Sequence, residues 1–450
     1  MIDIAQKVLA FAVTLGVLIT FHELGHYLVA RLAGVKVLRF SIGFGRIVWS
    51  RRIGRDRTEW ALSAVPLGGY VKMVDEHEGD VAPADRPRAF NRQNVWKRSA
   101  IVAAGPLANL LLAVLLLAGT YLVGIPGQRA VLAPPPAASP AAVAGLAAGD
   151  LVTAVDGRSV RSWQDLRWRL LRISGADSTT LAVERPDGTR ATRTLSLASL
   201  KSADWEGNYL APLGLKIDLG APRVNDIVPG KPAETAGLRA GDAIVAIDGE
   251  PVRSPSDVAT ITNAHPGDRL RVTLRREGAA FETELVPEAT VQNGRTIGMA
   301  GMRLAVDPST AARIALTVRY TPGEALVEAA AKTWDLSIFT VKMLGRILTG
   351  GASLSNISGP LTMADYAGQS AQAGVLTFVG YLALISISLG VLNLLPVPLL
   401  DGGHLLYYLV EIFKGSPVSD RVVEVGQRIG MAVLALLMAL ALFNDLSRFL

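Results

Sequence analysis

The apolar run from Leu9 to Leu32 is long enough to cross a bilayer as one helix, yet it holds His22, Glu23 and His26. Ionisable side chains are costly in a membrane helix, so a chain that keeps three of them in one turn must bury them for a purpose. They spell H-E-x-x-H. On a helix the two histidines, four residues apart, share a face and can chelate Zn²⁺, with Glu23 beside them as a base for the water that the metal activates. The run could pass for a secretory signal because Lys7 precedes it. It lacks a small-residue cleavage pattern before the motif, however, and its removal would discard the chemistry, so it is read as a transmembrane helix.

Half of the 450 residues are hydrophobic, 19% are charged, and the mean hydropathy is +0.34. Apolar residues at that density gather in runs that need lipid. The net charge of +6 does not point to nucleic acid, because the basic residues flank the apolar runs, where they set topology. With no cysteine, disulfides and thiolate metal sites are excluded, and a zinc ion can be held only by His, Asp or Glu.

Four spans are expected, in 1–32, 99–124, 373–396 and 429–446. The segment 33–98 is rich in Arg and Lys, which places it in the cytoplasm and both termini outside. Within it, Gly43-Phe44-Gly45 and the stretch from Trp60 to Lys72 are apolar and β-like but too short to span. They are expected to form a re-entrant β-hairpin under the bundle, or a hairpin on the cytoplasmic surface. Gly105, Pro106 and Asn109 in the second span read as helix-packing residues.

After Pro126 the composition turns soluble, and one pattern occurs twice. Gly145-Leu146, Gly149-Asp150 and Asp156-Gly157 recur as Gly237-Leu238, Gly241-Asp242 and Asp248-Gly249, each 92 positions on (241 minus 149). In both copies G-L-x-x-G-D leads into an alternating strand and a D-G turn. The two stretches, 127–220 and 221–309, resemble PDZ domains of the bacterial protease type, which bind extended peptides by adding a strand to a sheet edge. They could equally be spacers without a peptide occupant. In 310–372, Glu324, Lys332, Asp335, Lys342 and Arg346 fall on one helical face, and Trp334, Ile338, Val341 and Leu344 cover much of the rest. That pattern fits a helix lying on the membrane surface or packed on the second repeat.

The third span ends in Asn393-Leu-Leu-Pro-Val-Pro-Leu-Leu-Asp401-Gly-Gly-His404, where prolines and glycines break the helix. A catalytic zinc takes three protein ligands and keeps one open position. His77 lies in the polar cytoplasmic loop and His265 in the second repeat, across the bilayer, which leaves Asp401 and His404 as candidates for the third ligand.

H-E-x-x-H in the first span, G-F-G in the next loop, paired PDZ-like repeats and N-x-x-P-x-P-x-x-D-G after the third span together resemble the site-2 proteases, which are intramembrane zinc metalloproteases. The resemblance covers essentially the whole chain. It implies a polytopic α-helical membrane protein of four spans with a cytoplasmic-side β-hairpin and two extracytoplasmic PDZ-like α/β domains. It implies His22, His26 and Asp401 as zinc ligands, Glu23 as general base, and Asn393 on the substrate backbone or oxyanion, with His404 behind the ligands or structural. Independently of the resemblance, the loop at Gly43, Phe44 and Gly45, or the strand near Trp60 to Leu67, is expected to clamp the unwound substrate by adding a strand. Implied substrates are single-pass membrane proteins of the anti-sigma factor type, and leftover signal peptides, in a bacterial inner membrane. The PDZ-like domains would exclude substrates not yet trimmed by an earlier cleavage, or bind peptide ligands; no nucleic-acid partner is implied. Two other readings are a catalytically silent scaffold recruiting extracytoplasmic partners and a metal-ion transporter. The intact Glu23 opposes the first, and the scarcity of polar residues in the second and fourth spans opposes the second.

Overall fold

The computed structural model describes residues 2–200, 209–292, 295–350 and 358–449. It divides into two compact units, 1–125 with 319–450, and 126–318. Among the described residues, four helices are long and apolar enough to cross a membrane, within Ile4–Leu32, Val95–Val123, Val375–Leu394 and Arg421–Ser447.

In the first unit, helix α1 (Ile2–Leu32) leads into a hairpin of β1 (Val37–Ile53) and β2 (Thr58–Met73), followed by helix α2 (Val95–Val123). Asn94 caps α2 by accepting from the Lys97 N–H, so this helix begins some four residues before its apolar run. The hairpin is not a plain ribbon. Phe40 lies opposite both Trp60 and Val71, and Ile42 opposite both Leu62 and Gly69, while Ile47 to Ile53 pairs with Ser63 to Thr58. The chain turns this corner at Gly43 and Gly45, whose φ of +88° and +84° suits glycine. A Cβ on Gly43 would also stand 2.7 Å from the Val65 carbonyl oxygen. Tyr27, Phe40 and Trp60 stack edge-on and tilted, 4.6 to 5.7 Å apart, fixing the hairpin to α1.

Helix α3 (Pro322–Leu348) packs along one side on the bundle. Ala325 and Ala329 pack with Ala118 and Tyr121 of α2, and Leu336 joins Ala113, Ala383 and Ile387. Its small residues let it run against the bundle, leaving Val327, Trp334 and Val341 exposed. Helix α4 (Pro360–Gln372) is capped by Asp445 of the last helix. That buried carboxylate accepts from the N–H groups of Gly359, Leu361 and Thr362 and from the Thr362 hydroxyl. Lys7 pairs with Asp365 at 3.0 Å, tying the start of α1 to α4. Helix α5 (Val375–Leu394) packs on α2 through Gly390 against the Pro106 carbonyl. Helix α6 (Asp401–Lys414) follows the proline-rich break, and α7 (Asp420–Phe449), longer than its apolar run, ends the chain.

In the second unit the repeat is visible element by element. Short helices start at Pro140 and Pro232, strands at Leu151 and Ala243, helices at Trp163 and Pro255, and strands at Ser178 and Leu270, each 92 apart (232 minus 140). Both aspartates of the D-G turns take positive φ, Asp156 +47° and Asp248 +49°, as a two-residue hairpin turn requires. Asp156 accepts from Thr180 N–H and Asp248 from Arg271 N–H. Each G-D aspartate caps its own turn, Asp150 from Ala147 and Asp242 from Arg239. Burial alone would raise the Asp242 carboxyl pKa, but two 2.7 Å bonds from Arg276 hold it below the ordinary range. Leu166, Leu170, Leu181 and Leu195 form the core of the first copy, and Val258, Val272, Leu274 and Leu285 that of the second. Lys216 of the first copy pairs with Asp257 of the second at 2.7 Å.

Candidate metal centre

Helix geometry puts His22 and His26 one turn apart on the side of α1 that faces α2. Their Nε2 atoms lie 3.2 Å apart. Asp401, the first residue of α6, brings Oδ2 to 3.1 Å from His22 Nε2 and 3.5 Å from His26 Nε2. Three lone-pair atoms thus converge, and Asp401 Oδ2 is buried with no hydrogen-bond partner of acceptable geometry. Such mutual approach without donors is costly unless a cation sits among them. Tetrahedral zinc with bonds of 2.0–2.1 Å separates its ligand atoms by about 3.3 Å, so the residues present fit that ion. Among the described residues, this is the one cluster of three or more His, Asp or Glu with metal-holding geometry.

Asp401 is held there from both sides. The break before it passes through Leu399 at φ +83°, a left-handed conformation that costs a leucine about 1–3 kcal/mol. The surrounding structure enforces it: Gly402 sits so close to Leu395 that a Cβ would stand 2.1 Å from the Leu395 carbonyl oxygen. Farther along α6, Glu411 pairs with Arg98 of α2 at 2.6 Å, and the Arg98 guanidinium lies over the Tyr408 ring. Arg98 therefore anchors the helix whose first residue is Asp401.

Helix α2 supplies the wall that the sequence reading took for packing alone. A Cβ on Gly105 would stand 2.3 Å from His26 Nε2 and 2.9 Å from His22 Cε1, so only glycine fits beneath the cluster. Pro106 withholds the N–H that would bond the Val102 carbonyl. One residue earlier, the Ile101 carbonyl accepts from His26 Nδ1 at 2.8 Å. Asn109, fully buried, lies with its side-chain amide 3.4 Å from His22 Nδ1, and its Oδ1 has no partner. An amide can present either end. With the carbonyl toward His22 it accepts the Nδ1 proton and leaves the Nε2 lone pair for a cation, as the Ile101 carbonyl does for His26. The G-P-x-x-N spacing, placing Gly105 and Asn109 one turn apart, was the available signal. Asn109→Ala should loosen zinc by about 10–100-fold in a chelator competition, with Asn109→Asp, which keeps an acceptor, closer to wild type.

Glu23 lies on the other side of the cluster, beside the last strand of the hairpin. A Cβ on Gly69 would stand 3.1 Å from Glu23 Cγ, so the glycine leaves room for the carboxylate. Phe44 stacks on Tyr70, with rings 5° from parallel, at the corner nearest that strand. Asn393 is half-buried in the last turn of α5. His404 lies one turn beyond Asp401 with its ring edge-on to Tyr407, outside the three-atom cluster. His77 is exposed beside Asp75, and His265 contacts the Ile261 carbonyl within the second unit.

Three converging side chains that could hold a divalent ion, with a carboxylate nearby and apolar helices around them, are the arrangement that a membrane metallohydrolase needs. The chain matches Peptidase family M50 over residues 10–437 and belongs to that family. It is 41% identical over 456 residues to the regulator of sigma-E protease RseP of Escherichia coli, covering 100% of both chains. It is 45% identical over 462 residues to the putative zinc metalloprotease RSc1411 of Ralstonia nicotianae, covering 98% of each. The PDZ domain of an SdrC-like protein from Listeria monocytogenes matches 20% of this chain and 93% of that structure, at 23% identity and a TM-score of 0.18. The protein is a zinc metalloendopeptidase.

Proposed function

We propose that this enzyme cleaves the transmembrane segments of single-pass proteins in a bacterial inner membrane. The approach of His22, His26 and Asp401 beside Glu23, with both histidines on a helix long and apolar enough to cross a membrane, supports this reading. His22, His26 and Asp401 hold the zinc, which supplies Lewis acidity toward water and the scissile carbonyl. Glu23 takes the proton of the attacking water and delivers it to the leaving amine. Asn393 donates to the substrate backbone or the developing oxyanion.

A membrane helix shields its peptide bonds, so the substrate must be unwound and held extended. Trp60 to Leu62 cannot add a strand, because Phe40 to Ile42 and Trp49 to Arg51 already pair with it on both edges. The stretch from Gly69 to Met73 is paired on one edge only, and its start abuts Glu23. It is the better clamp, with Gly43, Phe44 and Gly45 shaping the corner. Gly69→Val should press on Glu23 and cut turnover by about 10²-fold while zinc content holds. Unchanged turnover in purified protein would reject this clamp.

Both termini and the two PDZ-like repeats lie on the periplasmic side, with the zinc toward the cytoplasm, a reading that the charge bias of the basic 33–98 segment supports. The repeats act as a size filter, and any substrate of the anti-sigma factor type arrives already trimmed. The test is cleavage of one single-pass substrate with and without its bulky outer domain. The full chain should cut only the trimmed form, and a variant lacking 127–306 should cut both. Discrimination that survives the deletion would discard the filter, and failure to cut the trimmed form would discard the substrate class.

A further inference from the structure

The turn of the hairpin carries a charge that nothing in the proteolytic site uses. Arg51, Arg52, Arg55 and Arg57 are all exposed around it; among the described residues none makes an ion pair, although Arg52 stands across the hairpin from Glu59 and acts on its charge. The nearby carboxylates are engaged by other cations. Asp56 takes both guanidinium nitrogens of Arg88 at 2.7 Å and Arg31 at 3.4 Å. Glu59 is paired with Arg39 at 2.8 Å and Asp85 with Lys36 at 2.7 Å. Apolar side chains lie open among the arginines: Val48 is 69% exposed, Trp49 55% and Ile53 48%.

The depth of this patch follows from its contacts. The Gly69 end of the hairpin is level with Glu23, whereas Gly54 and Asp56 at the turn lie against Arg31, in the last turn of α1. Nine residues of helix separate Glu23 from Leu32, about 14 Å along the axis. The hairpin thus runs from the level of the zinc out to the end of a membrane-spanning helix, where phospholipid headgroups begin. Tryptophan with aliphatic neighbours favours that level, and unpaired guanidinium groups there meet phosphate oxygens, which they bind in a fork geometry.

We propose that the hairpin turn is a docking surface for anionic phospholipid, with Arg51, Arg52, Arg55 and Arg57 on the headgroup phosphates and Trp49 and Ile53 in the upper acyl region. A lipid-held turn fixes the outer end of the same hairpin whose inner end abuts Glu23.

The chain has no cysteine, so Ile53→Cys in the full-length protein accepts a single bimane label. In vesicles of phosphatidylcholine with 20% phosphatidylglycerol, either lipid can be supplied in brominated form at equal mole fraction. Brominated phosphatidylglycerol should quench the label about threefold more strongly than brominated phosphatidylcholine at that fraction. The preference should fall to parity in 0.5 M salt, where screening is short-ranged, and in the R51Q/R52Q/R55Q/R57Q variant, whose retained zinc shows that it is folded. Equal quenching by both lipids in the labelled parent overturns the proposal, as does quenching by neither. A preference that survives the four substitutions assigns the anionic lipid to another surface. Self-quenching that rises with protein-to-lipid ratio assigns the patch to a second copy of the chain.

Discussion

Glu23→Gln should retain about one zinc per chain and lose cleavage of a transmembrane substrate by about 10²–10⁴-fold, the range for removing a positioned general base. The amide has the shape of the carboxylate but cannot take a proton from water. Because Glu23 is not among the three converging atoms, metal binding should be untouched. Asp401→Asn gives the opposite pattern. It removes the anionic ligand between the two imidazoles, so zinc and activity should be lost together. The paired measurement, metal content with substrate cleavage in detergent, separates a base from a ligand. Equal activity in Glu23→Gln and wild type would move the base elsewhere and revive the scaffold reading for this site.

Gly105→Ala should empty the site, although it adds one methyl group to a helix that tolerates alanine elsewhere. That methyl would stand 2.3 Å from His26 Nε2 and 2.9 Å from His22 Cε1, well inside van der Waals contact. Its neighbours are rings fixed by the Ile101 carbonyl and Asn109, so they cannot yield without leaving the cluster. Zinc should drop from about one per chain toward none, with overpacking costing about 1–3 kcal/mol in stability. Gly16→Ala is the control: it lies in α1 and meets nothing within 4 Å, so zinc and cleavage should persist. A Gly105→Ala protein that kept both would show that α2 does not stand where the structure puts it.

These two residues mark how far the chain could be read without coordinates. The placing of Glu23 beside the two histidines is legible because H-E-x-x-H carries it in its spacing: a helix alone fixes which side chains share a face. Gly105 carries no such mark. A glycine in a membrane helix is ordinarily a packing residue, and only the approach of α1 sets it beneath the imidazoles of His22 and His26. The hairpin shows the same limit. Its apolar strands and the Gly43-Phe44-Gly45 corner were apparent, but not that Trp60 to Leu62 is paired on both edges, because pairing partners are set by how the ribbon folds over. Helix α3 shows it too: its apolar stripe with Trp334 and Val341 was apparent, but not that Ala325 and Ala329 pack on α2, since small residues permit close approach where the partner is another helix.

What can be read without coordinates is local or self-similar: two histidines sharing one helix face, the broken helix before Asp401, four apolar runs and the 92-residue repeat. Each depends on periodicity or backbone preference within a few residues, or on comparing the chain with itself. Tertiary structure decided which distant groups meet: Asp401 with the imidazoles, Asn109 and the Ile101 carbonyl behind them, and Gly69 against Glu23. Those juxtapositions arise from helix packing and strand pairing across tens to hundreds of residues, where the energy lies in shape and burial shared between segments and leaves no local signature in either.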